Sequence, residues 1–192
     1  MKFSAFLRSL PALLPVLLPV ILNGCSGSDR PVRPMSYEEA ANSELIAANY
    51  KAANALITQA RLSLAIDQPV IIATVVNINQ LETSSAFGRL ISEHISAKFS
   101  QSGFKMIEMK ARKNVYMKRN EGELLLTREI KDIAAEHNAQ AVVVGLYAVS
   151  TDVVFVNVKV LHPSGNQVLA AYDYAVPLDN NNRALLQTAG KH

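Results

Sequence analysis

Apolar residues run from Leu10 to Leu22 without a polar interruption, and from residue 36 onward they become periodic. Leu45, Ile46, Asn49, Ala52, Ala53, Leu56, Ile57 and Ala60 recur at helical spacing. Ser36 with Glu39 has the form of a capping box, so one helix is expected from Tyr37 to Leu64, stopped by Asp67-Gln68-Pro69. Residues 70–76, VIIATVV, are β-branched and apolar on both faces, the pattern of a central strand. Ser84 or Ser85 can cap a second helix with Phe87, Leu90, Ile91, His94, Ile95 and Phe99 on its inner side and Gly103 as its stop. Residues 104–109 read as a short strand. Thr127 opens a third helix with Ile130, Ile133 and Ala134 as its buried stripe.

Residues 141–149, AVVVGLYAV, form another strand buried on both faces. In residues 153–161 the pattern alternates, with Val154, Val156, Val158 and Val160 inward and Asn157 and Lys159 outward. Pro163-Ser164-Gly165-Asn166 is a turn, and residues 167–176 return beside it. The order is α-β-α-β-α-β-β-β. It predicts an α/β fold, a single-domain sandwich whose mixed sheet ends in an antiparallel meander.

The run 10–22 has 13 residues, about 20 Å as a helix, against roughly 30 Å for a hydrocarbon core. Lys2 and Arg8 precede it, and Pro11, Pro15 and Pro19 interrupt it. This is the form of a signal-peptide core rather than of a spanning helix. It ends in Leu22-Asn23-Gly24-Cys25, which resembles the bacterial lipobox, with cleavage between Gly24 and Cys25 and lipid on Cys25. Asn23 is a less usual residue at its place. One acyl chain holds a protein only marginally, at about 0.8 kcal/mol per buried CH₂, whereas the three chains of a lipoprotein hold it durably. Ser26, where Asp would favour the inner membrane in the enterobacterial sorting pattern, points to the outer membrane. The expected organisation is a leader over residues 1–24, a lipidated tether over 25–35, an α/β domain over 36–178 and a tail over 179–192. Pro177 and Asn180-Asn181-Asn182 suggest that the tail frays, with Ala184-Leu185-Leu186 docking as one short turn.

Composition adds exclusions. Of 192 residues 49% are hydrophobic and 18% charged, enough apolar surface for a core. The formal charge is +3, but 19 basic side chains less Lys2 and Arg8 leave 17 against 16 acidic ones, so the basic balance is a poor argument for nucleic acid, and an exported chain is not expected to meet it. The single cysteine cannot form an internal disulfide, and lipid would block its thiol. No phosphate-binding loop, dinucleotide motif or nucleophile elbow is present. His94, His137, His162 and His192 lack metal-ligand spacing, so no metal, no cofactor other than the covalent lipid on Cys25, and no catalytic residue is expected. The most distinctive charged stretch is 105–119. There Lys105, Lys110, Arg112, Lys113, Lys118 and Arg119 surround Tyr116 against Glu108 alone, either a contact for an anionic partner or an ordinary solvated loop.

Residues 84–110, SSAFGRLISEHISAKFSQSGFKMIEMK, with Gly122-Glu123 and Thr127-Arg128-Glu129, resemble the FlgO family of flagellar outer-membrane lipoproteins. So do AQAVVVGLYAVS, VFVNVKVLHPSG and VLAAYDYAV within residues 139–176. The resemblance covers roughly residues 45–178. It implies a non-enzymatic outer-membrane lipoprotein, a homo-oligomer, with flagellar basal-body ring proteins as partners and a role in flagellar assembly and motility. It also implies a fold similar to the N-terminal domain of TolB and the periplasmic part of CsgG. Among the matching residues, Phe87 would anchor the second helix and Gly88 would permit close backbone approach. Arg89 and Glu93, four apart, would pair with each other or with a neighbouring subunit. The alternative is service in another envelope assembly, a CsgG-like secretion channel or a peptidoglycan-binding module.

Overall fold

The computed structural model describes residues 36–41, 43–81, 84–109, 131–164 and 167–187. The chain divides into Met1–Pro34 and Met35–His192, and the fold given below is that of the second unit. In chain order it holds α1 (Tyr37–Ala41), α2 (Glu44–Ala60), β1 (Pro69–Ala73), β2 (Val76–Asn77), α3 (Ala86–Gln101) and β3 (Lys105–Met109). Then come α4 (helical residues 131–136), β4 (Ala141–Val149), β5 (Val153–Leu161), β6 (Val168–Pro177) and α5 (Asn180–Gln187). The sheet has the order β3-β1-β4-β5-β6, with β2 paired to β4 off this path. β1 is parallel to both β3 and β4, and β4, β5 and β6 form the expected antiparallel meander.

β1 is apolar on both faces because both are covered. Val70 and Ile72 join the main core with α2 and α3, while Ile71 joins a smaller cluster with Val142, Ala139 and Ala134 at α4. The alternation along β5 sends Val154, Val156, Val158 and Val160 into the main core. α3 places Phe87, Ile91, Ile95 and Phe99 there at helical spacing. It ends at Gln101, and Gly103 just beyond has a φ of +92° that suits a residue without Cβ.

Three expectations need correction. The single helix over 37–64 is two. Ser43 takes an extended conformation, and its hydroxyl accepts from the Ile46 N–H, so it caps α2 afresh. α2 ends at Ala60, and Leu64 instead turns into the core from the following loop. The strand over 70–76 breaks after Ala73. The Ser92 hydroxyl of α3 accepts from the Val75 N–H at 2.9 Å and reaches the Ala73 carbonyl at 3.3 Å, holding the kink. Val75 then wedges between two glycines: a Cβ at Gly88 would lie 2.0 Å from the Val75 carbonyl oxygen, and one at Gly145 would lie 2.8 Å from its Cγ2. Finally, the residues expected to fray form α5. Asp179 accepts from the Asn182 N–H, the Asn182 amide donates to the Pro177 carbonyl, and Leu185 and Leu186 pack against the core. The asparagine run starts a helix rather than dissolving one.

Candidate functional site

Gly24, Cys25, Lys110, Arg112, Lys113, Lys118 and Arg119 lie outside the described residues. Of the basic stretch, Lys105 is described. It opens β3 beside Pro69 of β1 and is exposed. Glu108, its opposing charge, accepts a hydrogen bond at 2.8 Å from the buried Ser96 hydroxyl. Arg89 and Glu93 are both exposed on the outer side of α3. The Arg89 guanidinium reaches back to the Ser84 carbonyl at 3.1 Å. Lys98 bends over the Tyr50 ring of α2, 5.7 Å from its centre.

Inside the helical layer sits a polar relay built from residues whose spacing alone marks them as ordinary helix-stripe and strand positions. The fully buried Asn49 amide nitrogen donates to His94 Nδ1 at 2.9 Å, and the Tyr174 hydroxyl donates to the Asn49 carbonyl oxygen. With Nδ1 accepting, the imidazole proton belongs on Nε2. The relay ties α2, α3 and β6 together and satisfies groups whose burial would otherwise cost about 1–3 kcal/mol each. An asparagine in the middle of an apolar stripe was the available signal. Burial raises the Tyr174 hydroxyl above its ordinary value and lowers His94 below the ordinary 6.5.

Just below pH 6.5 the unfolded chain takes up a proton at His94 more readily than the folded one, so the folded state loses ground as pH falls. The urea midpoint of the wild type is expected to be flat in this respect above 6.5 and to fall below it more steeply than that of His94→Gln. Parallel curves for the two proteins would remove His94 from the account.

At one end of the sheet, Gln140 clamps the loop between α2 and β1. Its amide nitrogen donates to the carbonyls of Ala65 and Gln68, its amide oxygen accepts from the Ala65 N–H at 2.7 Å, and its own N–H donates to the Pro69 carbonyl at 2.9 Å. The clamped loop holds Leu62 fully exposed and Ile66 59% exposed. Gln59 of α2 performs a related task on the edge strand. Its amide bonds both the N–H and the carbonyl of Ala171, occupying one open peptide of β6 as a neighbouring strand would.

The arrangement offers little chemistry. Among the described residues no three His, Cys, Asp or Glu side chains converge, and no helix is long and apolar enough to cross a membrane. The Ser85 hydroxyl caps α3 and meets the Tyr147 hydroxyl at 2.8 Å in a buried pair. His162 and Ser164 bond each other within an exposed hairpin turn.

Comparison with known proteins adds the lineage. Among solved structures, the LpoB C-terminal domain from Salmonella enterica is 11% identical, with 67% of this chain and 97% of that chain covered and a TM-score of 0.47. A PelC dodecamer from Paraburkholderia phytofirmans is 13% identical, covers 60% and 74%, and has a TM-score of 0.41. Lipoprotein GNA1162 from Neisseria meningitidis is 10% identical, covers 59% and 83%, and has a TM-score of 0.40. Likenesses at this level carry no functional argument. No curated protein sequence matches the chain. The sequence profile of the family described as FlgO protein matches residues 50–181, which takes in β1 through β6 and more than half of the chain. The chain therefore belongs to the FlgO family.

Proposed function

We propose that this chain is a lipid-anchored envelope protein with a structural, non-catalytic role in building the bacterial flagellum. Residues 1–24 direct export, Cys25 carries the lipid, and residues 26–35 tether the α/β body to the outer membrane beside basal-body ring proteins. The observation that carries the reading is the family match over residues 50–181. The lipobox-like Leu22-Asn23-Gly24-Cys25 behind a 13-residue apolar run supports the anchor. The non-catalytic part is supported by the buried Asn49 and Ser85, whose side chains are engaged in joining helices to the sheet.

A deletion strain is expected to lose motility, and the wild-type chain is expected to restore it. Cys25→Ser should fail to restore it, since the unmodified chain cannot be held at the membrane. The wild-type protein should co-purify with basal bodies. Normal motility in the deletion strain, with the protein missing from purified basal bodies, would overturn the flagellar assignment.

A further inference from the structure

The outward face of the β4–β6 meander ends in an uncharged strip. Phe155, 55% exposed on the face opposite the main core, stands between Ala148 of β4 and Ala175 of β6. Val76 pairs with Leu146, so two residues later the chain brings Ile78, 51% exposed, beside Ala148. Val153 and Pro177 form the next pair on this face and the last of the sheet. None of these side chains is charged. Asp173, one row further in, has its carboxylate engaged by the Asn157 amide at 2.6 Å.

The direction of α2 shows which end of the body this is. Asn49 meets Tyr174 of β6 and Gln59 meets Ala171, so α2 runs antiparallel to β6. β6 runs toward Ala175 and Pro177, and α2 therefore begins at their end of the sheet. Ser36 and α1 come just before it, so the chain enters the body at the end that carries the strip. Between Cys25 and Ser36 lie residues 26–35, which span at most about 33–36 Å. Leu62 and Ile66, also exposed, follow the other end of α2, about 25 Å away at 1.5 Å per residue.

We propose that the strip is a membrane-contact surface, with Ile78 and Phe155 resting against the bilayer that holds the lipid on Cys25. The proposal rests on the anchor reading above. Once the lipid is embedded, a contact between body and bilayer is intramolecular, so a small apolar surface suffices. Because the strip is uncharged, the contact depends on removing apolar surface from water and not on anionic headgroups.

The test uses the full mature lipidated chain in phosphatidylcholine vesicles, plain or with brominated acyl chains. Cys25 is the only cysteine and lipid blocks its sulfur, so a cysteine introduced elsewhere takes a fluorescent label alone. A label on Ala175→Cys is expected to lose fluorescence in the brominated vesicles, and one on Leu62→Cys is expected to keep it. Adding I78D/F155D to the Ala175→Cys chain should abolish the loss. I78T/F155T, which keeps a strand-favouring residue at 155, should do the same. The loss should not change when phosphatidylglycerol is mixed into the vesicles. In a chain that floats with the vesicles, four results overturn the contact and leave the anchor standing. They are no loss at Ala175→Cys, an equal loss at Leu62→Cys, a loss that survives either double substitution, and a loss that needs phosphatidylglycerol. A chain that does not float with the vesicles overturns the anchor and the contact together.

Discussion

Replacing Gly88 by alanine is expected to destabilise the folded chain by about 2–4 kcal/mol, although the same change in an exposed helix normally stabilises by up to about 1 kcal/mol. The sign reverses because of what faces the glycine. A Cβ there would lie 2.0 Å from the Val75 carbonyl oxygen and 3.3 Å from the Tyr147 ring. The first neighbour is backbone, pinned by the Ser92 hydroxyl on the Val75 N–H, so it cannot swing aside as a side chain would. α3 must move outward, and Phe87 and Ile91 move with it. Gly103→Ala is the comparison. Its Cβ has space, 3.5 Å from Ile66 Cγ2, and its cost of roughly 1 kcal/mol comes from the positive φ alone. Urea unfolding at constant slope separates the two. A Gly88→Ala chain as stable as the wild type would contradict the close approach of α3 to the β1–β2 kink.

The second large effect belongs to Phe87. Its ring is wholly buried and meets the Tyr147 ring edge-on at 5.4 Å between centres. Phe87→Ala is expected to cost about 3–5 kcal/mol, the range for emptying a phenyl-sized site in a packed core. Phe155→Ala removes the same atoms from the exposed sheet face and is expected to cost less than about 1 kcal/mol. The pair is informative because side-chain chemistry is constant and only the environment changes. Equal unfolding midpoints for the two variants would show that the faces of the sheet have been assigned wrongly.

Much of this architecture was legible in the sequence because the body follows simple periods. The alternation in 153–161, the helical stripe ending at Phe99 and the glycine stop at 103 each reflect one local rule, and each appears in the structure. The failures arose where a tertiary contact overrode a local pattern. Nothing in VIIATVV announces a break, which comes from a hydroxyl on a helix 17 residues away. The run Asn180-Asn181-Asn182 looked disordered by composition, yet Asp179 caps it and two leucines dock it. The split at Ser43 had a visible cue, since serine favours the N-cap, but the apolar spacing across it masked the boundary.

The surfaces were less legible. The spacing of Arg89 and Glu93 allows a pair with each other or with a neighbouring subunit, and within the chain the Arg89 guanidinium donates to the Ser84 carbonyl. Gln59 and Gln140 attracted no notice as polar residues near element ends. Their roles on the β6 edge and the α2–β1 loop depend on partners 112 and 75 residues away. Leu62 and Ile66 look like core residues by type, and only the packing shows them exposed, whereas the alternation along β5 already put Phe155 on its outward side.

The claim on which the function turns is covalent, at one sulfur atom. It is tested by the mass of the N-terminal peptide of the mature protein isolated from membranes. The expected result is a peptide beginning at Cys25 whose mass exceeds its sequence by a diacylglyceryl group and an amide-linked acyl chain. A free thiol at Cys25, or a mature chain beginning at any other residue, would contradict it.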